Sequence, residues 1–497
     1  MVGLSLTFTA IAIAVFGCLY LVISCYLNYR RVPNVKGPFL ACISPLWLLY
    51  HTLKGDTYLA AEAAFKEYGS LIRVAPDYVI TNDVEVAKRM YSRGSNLMRG
   101  RWYDAMRLGA DQDNVMTITD EKAHASMRAK LIPGYTGRET GFEAAVDRML
   151  SEMIALIRRD YVEKDAVMDF ARIATFFTLD VLTKVAFDLE IGFLKENKDH
   201  YDYQKALTGF LPIMDLCCNH PTIFKILNSK LVLSLTKPKP EDKIGQGALI
   251  GQAHKAVAEY FKDDEKDNVD SMIASFKRHG VTQTQCQDET MLAILAGSDS
   301  TSTALRMAFL HVITNPRVYS KLNKEIQDAV ERGVVSFPII TMSEAQALPY
   351  LCAVIKEASR CFAPLHGLSG RCSNNVVEIN GQKIPPNTQV GVAWYSLART
   401  EEIYGKDAAQ FRPERWLEAD AETLKRYENG TALFFGYGTS ICLGKNLALM
   451  ELHKGLFELF RSFDFSIVNP LKPVTIRSNS VVLVKDLFVK VEAKAPQ

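Results

Sequence analysis

Several things are missing from these 497 residues, and each absence closes a functional class. No Cys-x-x-Cys pair occurs, which removes zinc-ribbon and thioredoxin-like chemistry. There is no phosphate-binding loop and no dinucleotide fingerprint, so neither nucleotide hydrolysis nor direct nicotinamide binding has a site. Lys and Arg number 58 against 56 Asp and Glu, a net charge of +2 that gives no basic footprint for nucleic acid. No Pro/Gly/Ser linker, internal repeat or low-complexity tract divides the chain after residue 60. With 48% hydrophobic residues, one large helix-rich domain is expected rather than the three that length alone suggests.

No charged side chain precedes Arg30. The apolar run Leu4 to Leu27 would extend ~36 Å as a helix at ~1.5 Å per residue, enough for a bilayer core of ~30 Å. A cleaved signal peptide has a basic start and a shorter apolar core. The expectation is therefore an uncleaved single-pass anchor over residues 1–29, then a proline-containing linker and start of fold over 30–60, then a catalytic domain over 61–497. Arg30, Arg31 and Lys36 favour keeping that domain on the cytoplasmic side. Ten cysteines at irregular spacings, two of them inside the anchor, fit free thiols in a reducing setting better than a disulfide framework. The sequon Asn429-Gly430-Thr431 is then expected to stay unmodified.

What is present concentrates in three places. The first is Phe435-Gly436-Tyr437-Gly438-Thr439-Ser440-Ile441-Cys442-Leu443-Gly444, where glycines permit a tight turn and close approach to a flat ligand. An amphipathic pattern follows to about Phe463, placing Cys442 just before a helix N-terminus, which favours the metal-ligating thiolate. The second is Glu357-Ala358-Ser359-Arg360 in an apolar helix starting near Leu351, with Arg415 in Phe411-Arg412-Pro413-Glu414-Arg415-Trp416 as a third partner. Glu357 and Arg360 share one helix face, and a buried pair needs further donors to offset desolvation. The third is Leu295-Ala296-Gly297-Ser298-Asp299-Ser300-Thr301 in a helix from about Gln285 to Thr314, where hydroxyls can capture backbone carbonyls. Strand signals occur at Ser70–Thr81 and Val474–Glu492.

In this order and at these spacings the three motifs resemble those of the cytochrome P450 family, and most closely its fungal microsomal members related to pisatin demethylase. The resemblance implies a mainly α fold with small β-sheets, the cytochrome P450 fold preceded by an N-terminal transmembrane helix. It implies heme b with its iron ligated by the Cys442 thiolate, cradled by Phe435, Gly438 and Gly444. His124, Arg128 and Arg371 would anchor the propionates. Glu357, Arg360 and Arg415 would brace the fold. Asp299 would relay protons, with Ser300 at the oxygen-contacting hydroxyl and Thr301 as its possible substitute. The loop Asn96–Ile118, with Trp102, Tyr103, Met106 and Leu108, would roof the pocket, and Leu211–Leu235 would dip into the lipid surface.

A thiolate ligand pushes electron density onto haem iron and favours O–O cleavage. The implied activity is a monooxygenase oxidising a bulky apolar small molecule, a fungal secondary-metabolite intermediate. Electrons would come from an NADPH-cytochrome P450 reductase at the endoplasmic reticulum membrane, docking where Lys122, Arg128, Lys130 and Lys445 present positive charge. Three alternatives stay open: a same-fold isomerase or dehydratase needing no reductase, a haem-binding membrane protein without turnover, and a membrane hydrolase using Cys442 as nucleophile. The family usually carries Arg or His two residues before the cysteine, where this chain has Ser440. Ser440→Arg is therefore expected to slow haem transfer to an apo-globin acceptor, and unchanged or faster loss would refute this.

Overall fold

The computed structural model describes residues 2–107, 112–236, 238–263 and 269–495. Leu108 of the loop Asn96–Ile118 lies outside the described residues, as do Lys237 and residues 264–268.

The core forms around one long helix, Gln283–Ile313. It starts two residues earlier than its apolar pattern. Thr282 and Gln285 form a reciprocal capping box, which satisfies N–H groups the first turn leaves orphaned. It stops at Thr314, ahead of Asn315-Pro316, where proline cannot continue the ladder. Phe170–Phe187 packs along it and is buried on nearly every face, the signature of an interior helix. Phe170 and Phe309 stack across this contact with centroids 3.9 Å apart. Lys445–Ser462, Pro349–Cys361 and Gly245–Lys262 close around the same helix. The helix holding Glu357 begins at Pro349, whose fixed φ suits a first helical position.

The strands are peripheral, and each expected run divides. Ser70–Thr81 is a hairpin, Leu71–Ala75 against Tyr78–Thr81, because Pro76 and Asp77 turn the chain. It belongs to a five-stranded sheet continued by Gln389–Val392, Arg371–Cys372 and Met98–Arg99. Tyr78–Thr81 and Gln389–Val392 are parallel, and the other pairings are antiparallel. Val474–Glu492 yields the hairpin Thr475–Asn479/Val481–Lys485, turning at Ser480, and the strand Phe488–Ala493, which pairs with Phe463–Ile467.

Val2–Arg31 is one 30-residue helix, and Ile11–Arg31 has a mean hydropathy of 2.1 with its apolar side chains exposed. Its C-terminal carbonyls have no partner within the helix. The fully buried guanidinium of Arg73, on the first strand, reaches across to take them. It donates to Tyr29 O at 3.0 Å and Val32 O at 3.3 Å, and to Asn28 O. A cation there also suits the negative end of the helix dipole. All ten cysteines are free, four of them buried.

Candidate active site

The cysteine loop crosses over itself. Gly436 sits at φ 80°, and a Cβ there would fall 2.1 Å from Ser440 O. Gly438, at φ 57°, packs against Tyr91 O, whereas a Cβ on Gly444 would meet only open space. The Cys442 N–H closes the loop onto Phe435 O at 2.6 Å. Lys445–Ser462 begins three residues on, and the N–H groups of Gly444 and Lys445 are directed at the sulfur. Cys442 is exposed, yet protein packed around it pushes its thiol up. Together these describe a side chain facing an internal recess. The N–H groups, Arg128 and Lys445 lower the thiol without overcoming burial. The donor set thus suits a thiolate completed by a metal cation, which takes the deprotonated ligand.

The central helix carries an exposed stripe of its own. Ala296 is exposed midway along an otherwise buried element, with Leu292 and Ser300, one turn to either side, partly exposed. Ser300 donates to Ala296 O at 2.6 Å and Ser298 to Ile294 O at 2.7 Å, yet the helix stays continuous. Thr301, about 100° round the helix from Ser300, is buried. Asp299 is buried and faces away from that stripe. It lines a polar cleft of about 400 Å³ with Arg172, Asp199, Lys205, Arg306 and Lys485. Its Oδ1 lies 3.7 Å from Arg306, and its Oδ2 has no hydrogen-bond partner among the described residues. Burial raises this carboxyl, and Arg306 and Lys485 offset part of the rise.

The basic residues converge, and they include one the sequence reading missed. Arg99 lies directly opposite Arg371 on paired strands. Arg99 Nη2 donates to His124 Nε2 at 2.8 Å, so the ring proton belongs on Nδ1, and Nη1 donates to Ile118 O at 3.1 Å. Arg371 donates to Leu97 O at 3.1 Å and to Ser440 Oγ at 2.8 Å, and lies 4.4 Å over the Tyr91 ring. The residue that replaces the usual loop arginine is therefore an acceptor for Arg371. Burial, then Arg99, Arg128 and Arg371, push His124 down to about 3, so it is a neutral imidazole. Like charges directly opposite on paired strands are destabilising. Among the described residues, none of the three arginines has a carboxylate partner. Such a cluster fits a dianionic group, a charge that two haem propionates would supply.

Behind the loop, Glu357, Arg360 and Arg415 are buried together. Arg360 forms a fork on Glu357 with two bonds of 2.8 Å, and Arg415 Nε donates to Oε1 at 2.9 Å. Trp416 Nε1 and the Arg412 N–H add two more donors at 2.9 Å. Burial would raise Glu357, but these hydrogen bonds and charges prevail and hold it below the usual carboxylate range.

The family model for cytochrome P450 matches residues 38–492. The chain belongs to the cytochrome P450 family. "Cytochrome P450 monooxygenase ABA1" of Pyricularia oryzae is 38% identical over 484 residues, covering 95% of this chain and 94% of the relative. "Cytochrome P450 monooxygenase aba1" of Botryotinia fuckeliana is 38% identical over 469 residues, 93% and 91% of the two chains. "Pisatin demethylase" of Fusarium vanettenii is 28% identical over 470 residues, 92% and 88% of the two chains. The protein is accordingly a haem-thiolate monooxygenase, with haem iron ligated by cysteine. P450 enzymes take electrons from a redox partner and act on hydrophobic substrates.

Within this P450, the expected residues fall into distinct settings. Cys442 is exposed at its loop with Arg128 beside it, Ser300 is partly exposed on the central helix, and His124 and Arg371 join Arg99 in the cationic cluster. Asp299 lies behind the central helix, Thr301 is buried, and Gly438 serves the loop's packing. Of the four cations expected to meet a reductase, Lys122 is exposed. Lys130 is engaged with Gly280 O at 2.9 Å, and Arg128 is half-buried beside Cys442.

Proposed function

We propose that this P450 is a membrane-anchored monooxygenase. It takes electrons from an NADPH-dependent flavoprotein reductase and oxidises a bulky apolar small molecule, an intermediate of fungal secondary metabolism. The observation that carries this reading is the accessible Cys442 sulfur at a helix mouth, beside an arginine cluster that lacks counter-charge. Phe435 O and the turn at Gly436 hold Cys442 as the iron ligand. Arg99, Arg128 and Arg371 bind the propionates, with neutral His124 holding Arg99 in place. When bound, haem supplies the oxidising chemistry, and the surrounding apolar wall orients substrate and excludes water.

Ser300 presents its hydroxyl on the recess face, while Asp299 draws protons from the polar cleft behind the helix. Asp299→Asn is expected to cut reductase-driven NADPH oxidation by about 10²-fold, the scale of a lost general acid. The carbon monoxide spectrum should be unchanged, and an unaltered NADPH rate would rule out the relay. The partly exposed Ser300 and the cleft behind Asp299 favour oxygenation over rearrangement without reductase.

Exposed Ile213, Ile226, Leu231 and Leu235 support a lipid-facing access region. Leu46–Lys54, with exposed Leu46, Tyr50 and Leu53, packs against the helix carrying Ile213 and extends that surface. With the apolar N-terminal helix it supports a membrane-bound catalytic domain, and Arg30, Arg31 and Lys36 favour the cytoplasmic face of the endoplasmic reticulum. The test is deletion of the gene in its host, with identification of the metabolite that accumulates. That metabolite should be consumed by microsomes holding this protein and a reductase only when NADPH and dioxygen are present.

A further inference from the structure

Glu289 is on the central helix, about two turns before Ala296, and is 1% exposed. Its Oε1 accepts the N–H of Val115 at 2.6 Å, a contact spanning 174 residues of sequence. Among the described residues its Oε2, also buried, has no hydrogen-bond partner. Burial pushes the carboxyl up to about 8, so at neutral pH it is a neutral acid. A buried acid with one oxygen unsatisfied does not repay its desolvation in stability. Its use must lie in what it positions.

What it positions is a self-contained turn in the pocket-roofing loop. Asn114 Oδ1 accepts from Met116 N at 3.0 Å and Thr117 N at 3.2 Å, and Thr117 Oγ1 donates to Asp113 at 2.8 Å. Asn114 Nδ2 ties the turn to Met106 O at 3.2 Å within the same loop. Among the described residues, hydrogen bonds join this turn to the rest of the protein at two points. One is Ile118 O, held by Arg99 of the cationic cluster; the other is Val115 N–H, held by Glu289. The roof is thereby registered against the propionate rim at one end and the central helix at the other.

We propose that Glu289 is the positioning residue that latches the turn Asn114–Ile118 onto the central helix and so sets how large a molecule reaches the pocket. This rests on the reading of the recess as the haem and substrate site. The turn moves as a unit because its own hydrogen bonds survive release from Glu289. Releasing it lets the turn pivot about Ile118, still held by Arg99, and widens the entrance without touching Cys442.

The experiment uses full-length holoprotein in lipid nanodiscs and two nitrogen ligands of different size, imidazole and the triaryl imidazole clotrimazole. Stopped-flow absorbance follows ligation through the shift of the Soret band. Glu289→Leu is expected to speed clotrimazole association about tenfold, the equivalent of one hydrogen bond of ~1.4 kcal/mol. Imidazole should change by less than about twofold. Glu289→Gln keeps a carbonyl acceptor of the same reach and should behave as wild type with both ligands. Glu289→Asp, one methylene too short for Val115, should follow Glu289→Leu and stands in for it if that variant fails to fold. Equal changes with both ligands, or none with either, would overturn the latch. Absence of any Soret shift in the wild type would instead overturn the haem reading, and the latch with it.

Discussion

Cys442→Ala is expected to give a folded protein that shows no red-shifted Soret band when reduced under carbon monoxide. Haem retained through gel filtration should fall by at least about tenfold, since more than a single ~1.4 kcal/mol interaction is lost with the ligand. The fold should survive. The loop is closed through the backbone N–H of residue 442 to Phe435 O, and the crossover belongs to Gly436; neither needs the sulfur. Far-ultraviolet circular dichroism should therefore match the wild type. Cys442→Ser sharpens the result. Its hydroxyl can still accept the Gly444 and Lys445 N–H groups, but it cannot replace thiolate as a donor that favours O–O cleavage. If either variant kept the red-shifted band, Cys442 would not be the ligand. If Cys442→Ala kept haem while losing a hydrolytic activity, the nucleophile reading would return.

That the cysteine was readable from sequence has a physical reason. Its loop, glycines and helix are contiguous, so their spacing is written in the chain. Glu357 and Arg360 were readable for the same reason, one helix face apart, and Arg415 from its own local run. Arg99 was not. It sits in a two-residue strand, and only the pairing with Arg371, distant in sequence, makes it part of the cluster. Its signal was a basic residue beginning the pocket loop, which composition does not distinguish from a solvated arginine. Ser440 read as a deficit because its partner, Arg371, comes from another element. Glu289 was invisible for the same cause, its meaning resting on a backbone N–H in a loop without periodicity. Strand boundaries failed differently. Alternation marked the extended stretches, while the turns at Pro76-Asp77 and Ser480 were read through as strand. At the N-terminus, hydropathy predicted the long apolar helix, but the capture of its last turn by Arg73 depends on a buried charge that local sequence gives no reason to expect.

The buried Glu357 network carries the second large expected effect. Glu357→Gln leaves Arg360 buried with no anion and leaves Arg415 only the partly exposed carboxylate of Asp407, 3.1 Å away. Removing one partner of a buried ion pair costs about 3–5 kcal/mol, because the remaining charge stays desolvated. That is a large share of the ~5–15 kcal/mol by which folded domains are stable. Arg360 also holds Ala398 O, Ala408 O and Gln410 O, and Arg415 holds Tyr404 O and Asp407 O, so the damage spreads through the segment between them. Glu357→Gln should therefore express as haem-free or aggregated protein. Any soluble fraction should unfold at a denaturant midpoint lowered by that free energy divided by the m-value. In the wild type the same carboxylate predicts an acid limb. Its folded-state value is depressed from the ordinary 4.5, so its contribution is complete above that pH and is lost as pH falls through the depressed value. Stability of Glu357→Gln should lack this limb. A variant that bound haem normally, with a midpoint within about 1 kcal/mol of wild type, would show that the donors around Glu357 find other partners.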